Sequence, residues 1–450
     1  MGRRFLGVAA FCLALCAPAR AVERPPQFVV MAFDNCTELE RWKELSEFAA
    51  AMNRSGEPLH FTFFVSGVNF IADDRAGLYQ PPDRRRGASQ IGFGGTPDDV
   101  AQRVAYINDL YRNGHEIASH AVGHFDGSRW SAAEWAQEFD SFRSVLANVA
   151  ANNGLDSAVK FAFPPSEVIG FRAPYLSVSP GLYMALKDDG FRYDTSGNSE
   201  PWDWPEKIGD LWRFNLVELK LADSGRRALS MDYNFFVAQS RALVDPARRD
   251  AFREEMVQTY LAYFQSNYAG NRAPLNIGHH FFDYQDGAYR EALKIFARSV
   301  CGLPEVRCAT YAELADFMDR LDAPTLQAYR SGDFPHVAAP ALTLAASEPG
   351  GMSAKSPPIR HEATRPALSV AASEPEPVTA PAKSLPARHE VTRPAPTLVA
   401  SEPSDTPVKP LHGSRHLARL PSEHAAYADA PVMPSDIPGY SDAVSASYRK

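Results

Sequence analysis

The stretch from Phe28 to Phe33 is apolar without a break, and it constrains the fold more than any other segment. A strand with no polar face must be covered on both sides, as in a parallel sheet flanked by helices. The segments His60 to Val65 and Leu275 to His279 read as further strands. Helix signals fall between them. Thr37-Glu38-Leu39-Glu40 reads as a capping box, with Leu39, Trp42, Leu45 and Phe48 on one stripe. Thr96-Pro97-Asp98-Asp99 opens a helix that ends at Gly114, with threonine as cap and carboxylates at the positive end of the dipole. Ser131 to Glu134, Ser179-Pro180 and Thr310 to Glu313 start others, and a long helix is expected over 245–268. Repeated β-α units imply a parallel sheet or barrel, whose catalytic face lies where strands end and helices begin.

The two ends of the chain read differently. Arg3 and Arg4, the apolar run Phe5 to Cys16 and the small-x-small site Ala19-Arg20-Ala21 form a secretory signal peptide over residues 1–21. The expected location is therefore secreted or periplasmic. No later segment is apolar enough for a transmembrane helix. In an oxidising compartment Cys301 and Cys308 are expected to pair, leaving Cys36 as a small buried residue in a tight turn. More than half of the 36 prolines lie beyond residue 323, in a region with many Ala and Ser and few aromatics. Degenerate repeats there, such as His361 to Pro366 returning as His389 to Pro394, hold too few large apolar residues for a stacked core. Residues 27–322 are thus expected to be one globular domain. Residues 323–450 are expected to be a disordered tail, offering a route to cell-wall association. A net charge of −8 with both signs mixed leaves no footprint for nucleic acid.

Four short segments carry the chemistry. His120 and His124, four residues apart, can converge on one metal ion if they share a helical turn, although such a pair alone is more often chance. The others are Phe33-Asp34-Asn35, Arg172-Ala173-Pro174-Tyr175 and Ile277-Gly278-His279-His280. Together and in this order they resemble the motifs of the polysaccharide deacetylase family, the NodB-homology hydrolases. Asn271 to Leu275 points to the chitin-deacetylase-like branch. The resemblance implies a distorted, incomplete (β/α) barrel. It also implies a divalent metal, zinc or another first-row ion, held by Asn35, His120 and His124. It makes Asp34 the general base and His280 the general acid, with the backbone N–H of Tyr175 binding the oxyanion. Arg172 would orient Asp34, and Asp194, from a poorly kept fourth motif, would pair with Arg172. One departure is plain: Asn35 stands where the family has a metal-binding aspartate, and a neutral amide should weaken zinc affinity.

Other residues read more blandly. His115 is expected to be structural and Asp126 to be a turn residue. Trp202, Trp204 and Trp212 either stack on a sugar or pack inside. The segment from Gln80 to Gly95, with Arg84-Arg85-Arg86, reads as a solvated insertion, the other reading being a border of the groove. The expected function is metal-dependent removal of N-acetyl groups from an amino-sugar polysaccharide: a chitin-like glycan, peptidoglycan or an exopolysaccharide. The alternatives are a catalytically impaired glycan-binding, wall-associated protein on the same fold, and a deacylase of O-acetyl esters or non-sugar amides.

Overall fold

A computed structural model describes residues 22–342. The expected signal peptide and the repeats after residue 342 lie outside the described residues. The chain alternates as expected. Strand β1 (Gln27–Asp34) leads to helix α1 (Leu39–Arg54), β2 (Thr62–Val65), α2 (Pro97–Arg112) and β3 (Glu116–Ser119). Helices α3 (Ala132–Ala147) and α4 (Val149–Asn153) precede β4 (Gly170–Phe171), α5 (Pro180–Asp188) and β5 (Tyr193–Asp194). A stretch of short strands follows: β6 (Asn198–Ser199), β7 (Glu206–Ile208), β8 (Leu211–Arg213), β9 (Leu216–Lys220) and β10 (Arg227–Leu229). Then come α6 (Asp232–Ser240), α7 (Arg249–Ala269), β11 (Leu275–His280), α8 (Ala288–Val300), β12 (Val306–Ala309), α9 (Tyr311–Asp319) and α10 (Ala323–Ser331).

The main sheet runs β11-β1-β2-β3-β4-β5-β8-β7, parallel throughout except for the β7–β8 hairpin, and β12 also pairs with β1. β1 is buried at every position, as the apolar run Phe28 to Phe33 within it requires. A second sheet, β10-β9-β6, meets the free edge of β11 through a bridge between Met231 and Gly278. The result is a curled, incomplete (β/α) barrel, and the ends of β1, β3 and β11 share one rim. Among the described residues no helix is long and apolar enough to cross a membrane.

Three of the capping boxes form as their sequences imply: Thr96–Asp99, Ser131–Glu134 and Thr310–Glu313. The fourth does not. Helix α1 begins at Leu39 with Glu38 at the cap and no side-chain cap bond. The Thr37 hydroxyl instead reaches Asn69 Oδ1 at 3.2 Å, while Arg103 binds the Thr37 carbonyl. The boundary expected at residue 322 also falls short. Helix α10 begins just beyond it, capped by Asp322; Tyr329 and Phe334 are buried, and the Tyr329 ring lies 5.1 Å from that of Trp204. Cys301 and Cys308 are joined, and Cys36 is buried and free.

Candidate active site

The register of the sheet decides which motif residues meet. Asp34 is the direct partner of His280 across β1 and β11, and Phe33 is the partner of His279. Side chains alternate along a strand, so the two pairs face opposite ways. Phe33 and His279 enter the core, their rings 6.3 Å apart. Asp34 and His280 face the rim, where His280 keeps 12% of its side chain exposed.

Asp34 is fixed by Arg172, whose Nη1 donates to its Oδ1 at 2.8 Å; both side chains are buried. The guanidinium is engaged on its other nitrogens as well. Nε donates to Thr195 Oγ1 at 2.7 Å, Nη2 lies 3.2 Å from the Tyr311 hydroxyl, and the plane sits 4.3 Å from the centre of the Phe64 ring. The expected pairing of Arg172 with Asp194 is not what the structure shows. Asp194 faces Arg213 at 3.1 Å and accepts from Ser196 Oγ at 2.5 Å. Ser196 Oγ in turn accepts from the Ala173 N–H, so Asp194 reaches the Arg172 loop only through that serine. The physical reason is alternation at the end of β5: Asp194 and Thr195 point apart, and it is Thr195 that meets the guanidinium.

His280 has a partner that no motif announced. Asp232, the first residue of α6, accepts from the His280 backbone N–H at 2.8 Å and sits 2.6 Å from His280 Nδ1. Burial disfavours protonation of His280, but the Asp232 carboxylate outweighs it and raises the imidazole pKa above its ordinary value. With Nδ1 committed to Asp232, any proton transfer by this ring would fall to Nε2. His279 is buried, takes a contact from the Tyr260 hydroxyl at 3.2 Å, and is pushed by burial down to about 4.

His120 and His124 leave the end of β3 in an irregular turn, not on a helical one as the spacing suggested. Their ring centres are 5.0 Å apart. Burial pushes His120 down to about 3 and His124 well below its ordinary value, so both are neutral and able to ligate. His120 Nδ1 lies 2.8 Å from the Arg172 carbonyl, so any ligation by this ring would fall to Nε2. Two buried polar atoms here have no hydrogen-bond partner: Asn35 Oδ1 and His124 Nδ1. Among the described residues no three His, Cys, Asp or Glu side chains converge as a metal group. Positive φ clusters at this rim, at Asn35 (51°), Ala121 (59°), His124 (56°), Tyr175 (57°) and Leu176 (56°). Such conformations are costly for non-glycine residues and concentrate at functional sites. Tyr175 interrupts a short 3₁₀ turn, and its ring lies 4.7 Å from that of His124.

The remaining candidates sort themselves by position. His115 is buried and its Nδ1 accepts from the Phe61 N–H; Asp126 accepts from the Ser128 N–H in a turn. Trp204 and Trp212 are core residues. Trp202 is 60% exposed, but its carbonyl is bound by Asn271, which precedes β11 and so lies toward the end of the sheet away from the rim. The segment 80–95 is not a solvated insertion. Gln90 N–H donates to the Gly123 carbonyl at 2.9 Å, and Arg84 sits 5.7 Å from the centre of the Phe125 ring, directly against the histidine turn.

A parallel half-barrel with a buried Asp–Arg pair, a histidine–aspartate pair and two neutral histidines on one rim is the arrangement expected of a polysaccharide deacetylase of the NodB type. Sequence relatives agree. The chain is 25% identical over 321 residues to Chitin deacetylase 8 of Bombyx mori, a match covering 65% of this chain and 70% of that protein. It is 26% identical over 192 residues to Chitin deacetylase 1 of the same organism, covering 40% of this chain and 26% of that much longer protein. The chain is thus similar to the NodB-type polysaccharide deacetylases, on their chitin-deacetylase-like side. No family model matches it. Among solved structures, a polysaccharide deacetylase of Mycobacterium smegmatis aligns with a TM-score of 0.41 at 16% identity, covering 72% of this chain and 99% of that one.

Proposed function

We propose that this chain is an exported, metal-dependent hydrolase that removes N-acetyl groups from an amino-sugar polysaccharide. The observation that carries this reading is the facing pairs Asp34–Arg172 and His280–Asp232 beside two neutral histidines, with Asn35 Oδ1 and His124 Nδ1 left without partners. Asp34, held in one orientation by Arg172, takes the proton of the attacking water. His280, whose hold on a proton is strengthened by Asp232, gives a proton to the departing amine, without which the C–N bond does not break. The backbone N–H of Tyr175 receives the oxyanion. Asn35, His120 and His124 are the residues that would hold a divalent cation, probe ion zinc, and when bound it supplies Lewis acidity toward the carbonyl and the water. The donor set fits a borderline ion: two neutral imidazoles and an amide oxygen, two of whose atoms are buried and unbonded. Asp194 supports the Arg172 loop through Ser196 and does not touch Arg172 by hydrogen bond.

A second reading rests on Asn35, which adds no negative charge to the cation site: the groove then binds glycan without turnover. The two are separated by acetate release from a panel of defined acetylated glycans (chitin oligomers, peptidoglycan fragments, an N-acetylated exopolysaccharide, and an O-acetylated ester control). Acetate released from an N-acetylated glycan supports the hydrolase. Glycan binding without acetate release at saturating zinc overturns it.

A further inference from the structure

The histidine turn is held from two sides by unequal means. Its carbonyls are fixed by backbone donors: Gly67 N–H to Ala121 at 2.9 Å, Val68 N–H to Val122 at 3.1 Å, and Gln90 N–H to Gly123 at 2.9 Å. Its amides at 122 and 123 are met by one side chain. Glu138 Oε1, from the middle of α3, accepts from Val122 N–H at 2.8 Å and from Gly123 N–H at 3.3 Å. The Tyr79 hydroxyl lies 2.9 and 2.8 Å from the two carboxylate oxygens. Glu138 is fully buried among Trp135, Phe139 and Phe142, and no ion pair reaches it among the described residues. A buried carboxylate without a cation is expensive, and an apolar residue would fill this helix face more easily. Its three donors explain its presence, and two of them belong to the turn that carries both histidines. The left-handed conformations of Ala121 and His124 persist only where the surroundings over-determine them.

We infer that Glu138, seconded by Tyr79, is a positioning residue that sets the geometry of the His120–His124 turn and through it the affinity of the cation site. The inference rests on the metal reading above for its affinity readout, but not for its structural one. Zinc is titrated into the metal-free full-length protein by calorimetry for wild type, Glu138→Gln, Glu138→Leu and Tyr79→Phe. Glu138→Leu strands two amides and should weaken zinc binding by about 10-fold or more, the usual scale for groups that support ligands. Glu138→Gln, which keeps an accepting oxygen, should lose less, and Tyr79→Phe less again. In each folded variant the imidazole NMR signals of His120 and His124 should move while those of His280 stay. If Glu138→Leu does not fold, Glu138→Gln and Tyr79→Phe carry the test. Wild-type zinc affinity together with unmoved His120 and His124 signals in the folded variants overturns the inference. If wild type binds no zinc, the metal reading fails by itself, and the imidazole signals alone decide whether Glu138 positions the turn.

Discussion

At the His280 flank of the site, Asp232 engages both the ring and the backbone of the histidine, and Arg172 is occupied on all three nitrogens. At the His120–His124 flank, two buried atoms have no partner and the backbone is strained at Asn35, Ala121 and His124. On the proposed reading, the groups that would move protons find their partners within the protein itself. The ligand half is arranged around groups that protein atoms do not satisfy, which buried polar atoms seldom tolerate. A site can therefore be finished for moving protons and still depend on something else for its electrophile.

The largest effects should come from the complete flank. Asp34→Asn and His280→Ala are expected to lower kcat on the order of 10²–10⁴-fold while leaving bound metal unchanged, measured by acetate release beside elemental analysis. Loss in His279→Ala with full activity in His280→Ala would reverse the assignment that the strand register makes. On the ligand flank, His120→Ala and His124→Ala should abolish tight zinc binding, whereas Asn35→Asp should tighten it by about 10-fold, since a charged oxygen replaces a neutral one. Aspartate tolerates a left-handed backbone as asparagine does, so the fold should not resist this change. Metal affinity by calorimetry across the three variants checks it, and an unchanged affinity in Asn35→Asp would remove Asn35 from the ligand set.

The smaller effects test the supports. Asp232 raises the pKa of His280, so the basic limb of the kcat profile should lie above the ordinary histidine range. Asp232→Asn removes that charge and should move the limb to lower pH; an unmoved limb would mean that another group limits the rate. The same pair contributes stability that is whole below the ordinary histidine pKa near ~6.5 and is lost as pH rises through the raised value. Thr195→Val should cost least, on the order of 10-fold in kcat, the worth of one hydrogen bond to a charged group. Steady-state kinetics with intact metal content would show it.

The parts legible in the sequence were those written locally. The apolar run in β1 and three capping boxes each announce themselves within a few residues, while the short motifs around Asp34, His120, Arg172 and His280 speak only as an ordered set. Strand alternation separates His279 from His280, and the register with Phe33 and Asp34 makes the separation concrete. What stayed hidden were the supporting residues that lie outside the motifs. Asp232 opens a helix 48 positions before His280, Tyr311 lies 139 from Arg172, and Glu138 sits on an otherwise apolar helix face. Asp194 was misread because its neighbour Thr195, pointing the other way, is the one that meets Arg172. The domain boundary fell short because α10 is too brief to show in a composition shift, although it buries Tyr329.

The strand made first is completed last. β1 emerges ahead of every other described strand, yet its partners on one edge, β11, and at its base, β12, come from the far end of the domain. Until they arrive, the apolar strand has only β2 beside it and its β11 edge stays open, and folding that depends on such distant pairing is slow and exposed to aggregation. Arg24 meanwhile touches the Pro335 carbonyl and Glu305, so the two ends of the described chain lie side by side. A circular permutant that joins them and opens elsewhere could deliver β11 and β12 just ahead of β1, turning the slowest pairing of the natural order into a nearly local one.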